Sequence, residues 1–198
     1  TPQGHYLAVD ILRLLGTPLQ RARILPAVVD GARIAPVLAE RGGHHAQDLK
    51  TRLVKDGARW RLDGTKYYCT GAITSRWLAV SALDPADRLV LAFVERDAPG
   101  VSIDEDWAAM GQRSTVSGTT TLDGVAVDGD LVVPYWSAFE KPQLLGARAQ
   151  LVHTAIEAGI AEGALADAAE FVRTRSRPFF EAVRYGAATT ASDDPHIL

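Results

Sequence analysis

The sequence predicts an α+β protein in which an antiparallel β-barrel or sandwich lies between two helical regions. Apolar residues recur at helical spacing in residues 1–31 and 136–198, which is typical of helices with one buried face. Residues 32–135 instead contain short β-branched and aromatic runs separated by Gly, Asp and Pro, the pattern of closely spaced strands. We therefore divide the chain into the end of an amino-terminal helical domain, a middle β-domain and the start of a carboxy-terminal helical domain.

Two helices are predicted before the first strand. The first has an apolar stripe that stops at Gly16, a residue type that commonly ends helices. The second begins with Thr17 as its N-cap and Pro18 at its first position, and Gln20 completes a capping box. Pro26 is expected to interrupt this second helix, because proline lacks the backbone N–H that a helix interior needs.

The middle region contains a series of short runs with high β-propensity. Asp56 and Gly57 predict a hairpin turn between two of them. Gly118 and Gly124 indicate a bulge or a turn in the last run. The runs are RIAPVLAE, LKTRLV, ARWRLDG, TKYYCTG, WLAVSAL, RLVLAFVE and TVSGTTTLDGVAV.

A long helix is predicted from about Leu144, where an Ala-rich run extends for some thirty residues. Its glycines would each weaken an isolated helix by about 1 kcal/mol relative to alanine, so they favour close packing against other helices. At the end of the chain, Asp194 is expected to cap a helix that starts at Pro195. A chain that ends where a helix begins is interpreted as a piece of a longer protein.

Composition excludes several classes of function. The net charge of −3, with acidic and basic residues interspersed, argues against nucleic acid as a partner. The apolar runs are too short for a membrane helix. The single cysteine, Cys69, fits a reducing cytoplasm and is interpreted as a core residue. His44 and His45 are adjacent, which is poor spacing for joint metal ligation, so no metal site is predicted.

The stretch WRLDGTKYYCTGA raises the first functional question. Alternation along a strand would place Tyr68 and Thr70 on one face and Tyr67 and Cys69 on the other. An aromatic ring beside a hydroxyl suits a planar ligand, but it equally suits an ordinary sheet core. These residues alone leave both interpretations open.

Three segments in order resemble acyl-CoA dehydrogenases. GTPLQRARILPAVVDGARIAPVLAE resembles the passage into the middle β-domain of that family, and LDGTKYYCTGA resembles its flavin-facing strand. MGQRSTVSGTTTLDGVAV is similar to its Met-Gly-x-Arg segment and the strand that follows. The resemblance implies the acyl-CoA dehydrogenase-like fold, with a carboxy-terminal four-helix bundle and a homotetramer built on such bundles.

Two departures from ordinary family members direct the functional prediction. ERGGHH stands where those members have a Gly-Ser-Asp that helps to hold the FAD pyrophosphate. The tail RTRSRPFFEAVRYGAATTASDDPHIL replaces a pattern that reaches the adenylate half of FAD. This tail resembles the FMN-dependent monooxygenases of sulfur acquisition, of the dibenzothiophene and dimethyl-sulfone-pathway types. Its three closely spaced arginines suit a terminal phosphate.

The resemblance to these monooxygenases implies an enzyme that oxidises an organosulfur substrate, a thioether or a sulfoxide, with O2 through a C4a-hydroperoxyflavin. A separate flavin reductase would supply the reduced FMN. The proton donor is expected in the absent part of the protein, and we identify no catalytic residue in this chain.

The resemblance assigns seven residues to the cofactor: three at a strand end, two on the flavin-facing strand and two at the phosphate. In that order they are Leu38, Ala39 and Glu40, Tyr68 and Thr70, and Arg175 and Arg177. The first three would meet the pyrimidine edge through backbone groups. Tyr68 would lie against the isoalloxazine and Thr70 would hydrogen-bond near its N5. The alternatives are a core aromatic for Tyr68 and a solvated basic helix end for the arginines.

His44, Ser117 and Phe179 are candidate substrate contacts. Each has an ordinary alternative: a solvated loop histidine, a strand hydroxyl, and an aromatic residue packed at a helix terminus.

Three other functions stay open. An FAD-dependent acyl-CoA dehydrogenase would take an α-proton with a glutamate from the absent bundle and pass hydride to the flavin. A non-catalytic fragment or binding partner would keep the β-domain without an active site. A relative that hydroxylates the nitrogen of an amino sugar would use the same flavin chemistry.

Overall fold

The computed structural model describes residues 2–45 and 48–197 and contains two compact units, residues 1–147 and 148–198. The helices are α1 Gln3–Leu15, α2 Pro18–Val29, α3 Leu145–Thr174 and α4 Phe180–Arg184. The strands are β1 Ile34–Val37, β2 Arg52–Asp56, β3 Arg59–Lys66, β4 Trp77–Leu83, β5 Leu89–Glu95, β6 Val101–Asp104, β7 Thr119–Val127 and β8 Val132–Val133. Domain boundaries after residues 31 and 135 stay a prediction.

The capping box predicted at the start of α2 is present. The Gln20 backbone N–H donates to the Thr17 hydroxyl at 3.2 Å, and the Thr17 backbone N–H donates to Gln20 Oε1 at 2.8 Å. The interruption expected at Pro26 is wrong, because α2 continues to Val29. The missing N–H of Pro26 removes only one helical hydrogen bond. The Pro26 carbonyl still accepts from the Asp30 N–H at 3.1 Å, and the helix ends within a turn of Pro26.

The strands form one open, mixed sheet in the order β6-β7-β3-β2-β4-β5-β8, with β1 paired to β4 outside this path. The predicted α+β class with strands between helices is confirmed. The sheet is not a closed antiparallel barrel, however, because β4 pairs in parallel with both β1 and β2. Parallel pairs join segments that are distant in the chain, and alternation within single strands carries no information on such pairing. β4 and β5 form the centre of the core, where most of their side chains are buried.

The predicted hairpin joins β2 and β3, with Asp56 paired to Arg59 and a two-residue loop that contains Gly57 at φ +57°. The structure merges two predicted runs into the single strand β3. Its register with β7 shifts between Leu62 and Gly64. A Cβ atom at Gly64 would lie 2.2 Å from the Thr51 hydroxyl oxygen, so a glycine is needed at this approach.

The second unit begins within α3, which is confirmed as a 30-residue helix. Its apolar side chains are largely exposed, Leu151 by 70% and Leu165 by 72%. The helix expected at Pro195 is not formed in the described part of the chain. Asp194 instead accepts backbone bonds from His196 at 3.0 Å and Phe179 at 2.7 Å, so its carboxylate caps a turn.

Within residues 2–45 and 48–197, no helix combines the length and apolar character required to cross a lipid bilayer.

Candidate functional site

Three segments meet at one end of the sheet: residues 38–41 after β1, residues 67–71 after β3, and residues 106–119, which end at the first residue of β7. Backbone hydrogen bonds hold the middle segment between the other two. Tyr67 donates to Ala39 at 2.9 Å, while Cys69 donates to Gly118 and Gly71 to Thr115, both at 3.0 Å. These bonds hold in place the residues that the family resemblance assigned to the flavin.

Tyr68 lies beyond the end of β3, in a left-handed conformation with φ +60°. The strand stops at Lys66, so the expectation that Tyr68 and Thr70 share one face of a continuous strand is wrong. Left-handed backbone is unfavourable for a bulky residue and often marks functional sites. The turn leaves the Tyr68 ring 54% exposed and Thr70 half-buried.

A small pocket of about 210 Å³ opens beside Tyr68, and Ser117 also lines it. The Trp107 ring lies edge-on to Tyr68 with centroids 6.4 Å apart. The Arg41 guanidinium carbon lies 4.1 Å from the ring centroid of Tyr67 and 5.2 Å from that of Tyr68. The sequence analysis missed Arg41 and Trp107. Both lie in loops, and their contacts with the tyrosines depend on tertiary structure.

A larger cleft of about 570 Å³ lies on the other side of this turn. Its polar lining includes Thr70, Thr115, His5 and Arg33. The Nδ1 atom of His5 accepts the Ile34 N–H at 3.0 Å, which fixes the neutral tautomer with its proton on Nε2. Burial, together with the charge of Arg33, lowers the pKa of His5. The structure therefore places Tyr68 and Thr70 in adjacent cavities.

A chain of hydroxyl groups connects the two cavities. Thr115 Oγ1 donates to the Gln112 carbonyl at 2.8 Å, and it lies 2.8 Å from the Ser117 hydroxyl. Ser117 lies a further 2.8 Å from Thr70 Oγ1. Gln112 and Val116 both have left-handed backbone, with φ +50° and +43°, so this segment holds its shape against local conformational preference.

A buried ion pair between Lys66 and Glu40 holds residues 38–41 in place from the interior of the protein. Lys66 Nζ donates to Glu40 Oε1 at 2.7 Å, to Ser81 Oγ at 3.0 Å and to the Leu38 carbonyl at 3.3 Å. All three ammonium protons are thereby used. The Glu40 carboxylate also accepts from the Thr51 hydroxyl at 2.6 Å. The sequence analysis gave Lys66 no role, because its partners lie far away in the chain, in the segment after β1 and in β4.

Glu40 and Lys66 each shift the pKa of the other. Burial alone would raise the pKa of Glu40, but hydrogen bonds from Lys66, Thr51 and the Lys50 N–H lower it to about 2. Burial lowers the pKa of Lys66, and the Glu40 carboxylate partly offsets this shift. The pair is thus a buried support for the backbone of residues 38–40. The Glu40 side chain points into the protein.

Cys69 lies between Tyr68 and Thr70 in the sequence but is only 1% exposed. Burial raises the pKa of its thiol, which disfavours the reactive thiolate. The interpretation of Cys69 as a core residue is confirmed.

The remaining predicted site residues have exposed side chains. His44 is exposed, and its backbone N–H donates to Asp48 at 2.9 Å. Arg175, Arg177 and Phe179 belong to the second unit, where all three are exposed. The Phe179 ring lies edge-on to that of His196, with centroids 6.3 Å apart. Roles for these four residues in binding stay predictions.

Residues 38–125 match the family model described as acyl-CoA dehydrogenase, middle domain, and this range contains all three segments of the site. Dibenzothiophene monooxygenase of Mycolicibacterium goodii is 30% identical over 98% of this chain and 49% of its own length. A probable FMNH2-dependent monooxygenase, SfnC, of Pseudomonas putida is 33% identical over 79% of this chain and 40% of its own length.

Among solved structures, FMN-bound TdsC from Paenibacillus sp. A11-2 superposes with a TM-score of 0.82. It is 30% identical over 98% of this chain and 51% of its own. A probable acyl-CoA dehydrogenase of Mycobacterium bovis is 28% identical over 96% of this chain. This chain spans about half the length of the relatives that it matches.

Proposed function

This chain belongs to the acyl-CoA dehydrogenase superfamily, and we propose that the complete protein is an FMNH2-dependent monooxygenase that oxidises an organosulfur compound. The support from sequence is that the dibenzothiophene monooxygenases and SfnC match it at 29–33% identity. The observation in the chain itself that carries the proposal is the strained turn at Tyr68. This turn exposes an aromatic ring on one side and presents the Thr70 hydroxyl to a cleft on the other.

The described residues fit a flavin. Thr70 lines the cleft of about 570 Å³, which falls within the usual range for small-molecule sites, and Tyr68 lines the smaller pocket beside it. An exposed ring such as that of Tyr68 gains stability by covering a flat conjugated system, and Thr70 offers a hydroxyl for a ring nitrogen. The backbone of Leu38, Ala39 and Glu40 would contact the pyrimidine edge, since the buried Lys66 fixes that segment from inside.

Arg175 and Arg177 would hold the FMN phosphate. Guanidinium groups form strong charge-assisted bonds with phosphate oxygens. In the described part of the chain neither side chain forms an ion pair, whereas Arg173 pairs with Glu170 at 2.7 Å. The two arginines are therefore available for a ligand, from this subunit or from a neighbouring one.

When bound, reduced FMN supplies the electrons and the oxygen-activating chemistry. The residues of this chain would orient the flavin and exclude water from it. Tyr68 would cover the part of the ring that reaches the small pocket, and Thr70 would hold the ring through one hydrogen bond. Ser117, with Trp107 and Arg41, lines the small pocket in which part of the sulfur substrate would lie. His44 and Phe179 stay candidate substrate contacts.

A separate flavin reductase would deliver the reduced cofactor, and the complete protein would form a homotetramer in the cytoplasm. The exposed apolar residues of α3 support helix packing in such an assembly. The single buried cysteine favours a reducing compartment.

The test is an oxygen-transfer assay with the complete protein. The purified enzyme, a flavin reductase, NADH and dibenzothiophene or dimethyl sulfoxide are incubated under ¹⁸O2. Incorporation of ¹⁸O into a sulfoxide or sulfone, dependent on FMN, is expected. Mass spectrometry that finds FAD as the cofactor, together with acyl-CoA-dependent reduction of a dye, would instead establish the dehydrogenase.

A further inference from the structure

The hydroxyl chain from Gln112 to Thr70 has a fixed direction. A carbonyl oxygen can only accept, so the bond of 2.8 Å between Thr115 and the Gln112 carbonyl uses the single proton of the Thr115 hydroxyl. Thr115 can therefore only accept from Ser117, and Ser117 spends its own proton on that bond. Ser117 then accepts from Thr70. Thr70 has lone pairs left for a ligand, but no proton.

We infer that Ser117 and Thr115 are positioning residues that make Thr70 a hydrogen-bond acceptor, so that the site selects the reduced flavin over the oxidised one. This inference rests on the proposed function and on the assignment of Thr70 to N5. Reduced isoalloxazine has an N–H at N5, which needs an acceptor. Oxidised isoalloxazine has a lone pair there, which would face a lone pair of Thr70.

Thr70 cannot reverse its role without loss. If its proton turned to the ligand, two hydroxyl oxygens 2.8 Å apart would face each other without a proton between them. If Ser117 turned to donate to Thr70, the same conflict would move to the bond of 2.8 Å with Thr115. The Gln112 carbonyl fixes the far end, so every reversal leaves one bond unmade.

The surroundings keep this geometry rigid. Ser117 is 6% exposed, so water has little access to replace a lost bond. The backbone bonds of 3.0 Å from Cys69 and Gly71 tie the Thr70 turn to the Ser117 segment on both sides. The Gln112 carbonyl also accepts from the Trp107 indole at 3.1 Å, which fixes the carbonyl that sets the direction.

A preference for the reduced flavin suits an enzyme that receives its flavin from a separate reductase. Reduced FMN would arrive from the reductase and gain the Thr70 bond. After turnover, the oxidised form would lose that bond and dissociate, so it would not block the next reduced cofactor.

The test compares dissociation constants for FMNH2 and FMN, measured anaerobically with the complete protein by flavin fluorescence. The wild type is expected to bind FMNH2 more tightly. In Ser117→Ala the Thr70 proton is free for either role, so the ratio of the two constants should fall by about three- to tenfold. Thr115→Val lets Ser117 donate to Thr70 and should have the same effect. This variant also covers the case in which Ser117→Ala does not fold.

The matched control is Ser137→Ala. The Ser137 hydroxyl donates to the Pro134 carbonyl at 2.8 Å with the same three-residue spacing as Thr115 and Gln112, but it lies outside both cavities. Its ratio should equal that of the wild type.

Equal affinity of the wild type for both redox forms, or an unchanged ratio in the folded Ser117 and Thr115 variants, would overturn the inference. If the protein binds only FAD, the proposed function fails, and the same ratio measured with FADH2 and FAD decides the role of the hydroxyl chain. Absence of any flavin binding would reject both.

Discussion

The ammonium group of Lys66 lies 2.7 Å from the Glu40 carboxylate, and the two side chains are 0% and 6% exposed. Lys66 belongs to the strand that leads to Tyr68, whereas Glu40 belongs to the segment proposed to contact the flavin. The pair therefore joins two of the three segments of the candidate site. Buried charges are tolerated only when each has a partner.

Removal of one partner should destabilise the protein strongly. Lys66→Met leaves Glu40 charged and buried, so the free energy of unfolding should fall by about 3–5 kcal/mol. Urea denaturation of the complete protein measures this loss. The double variant Lys66→Met/Glu40→Leu should recover part of it, because no unpaired charge remains. The exposed pair of Arg61 and Asp63 supplies the control, and Arg61→Met should change stability by less than about 1 kcal/mol.

The same pair predicts how stability depends on pH. The folded state lowers the pKa of Glu40 from 4.5 to about 2, so the carboxylate stabilises the fold above about pH 4.5, and this contribution is lost as the pH falls toward about 2. The difference in unfolding free energy between wild type and Glu40→Gln should shrink across that window. Urea titrations at successive pH values measure it, and a difference that stays constant would contradict the buried charge.

Tyr68 should contribute to flavin affinity through its ring alone. Tyr68→Phe should bind FMNH2 like the wild type, whereas Tyr68→Ala should bind roughly five- to tenfold more weakly, since a lost aromatic contact is worth about 1 kcal/mol. Anaerobic fluorescence titration gives both values. Phe139 is also exposed, by 60%, but lines neither cavity, so Phe139→Ala should leave the affinity unchanged. Equal weakening by both alanine variants would argue against a specific contact.

Arg175 and Arg177 should discriminate between FMN and riboflavin, which lacks the phosphate. Arg175→Met/Arg177→Met should weaken FMN binding at least tenfold, because charge-assisted hydrogen bonds are worth about 1.5–3 kcal/mol. Riboflavin affinity should not change. Arg173→Met, at the arginine paired with Glu170, should affect neither ligand. A parallel loss of affinity for FMN and riboflavin would reject the phosphate role.

Local features of the fold could be predicted from the sequence. The capping box of Thr17 and Gln20 involves neighbours in the chain, and β4 and β5 consist of long apolar runs. The hairpin turn at Gly57 follows from adjacent residues as well. Each of these features depends on physics that acts within a few residues.

Long-range features could not be predicted in this way. Lys66 and Glu40 lie 26 residues apart, and no spacing rule connects them. The alternation in TKYYCTG continues past Lys66, although the strand does not, because a left-handed φ at Tyr68 leaves no mark in the pattern. The family resemblance pointed to these segments, and the assignment of each side chain to a cavity required the structure.

The close approach of Thr51 to Gly64 affects the candidate site as well. The Thr51 hydroxyl that approaches this position also donates to Glu40 at 2.6 Å, and Glu40 in turn holds Lys66. Even a methyl group at position 64 would displace Thr51 and weaken the hydrogen bonds that connect Thr51, Glu40 and Lys66. Saturation mutagenesis should therefore score position 64 as intolerant of every replacement, although the glycine touches no ligand and carries no chemistry of its own.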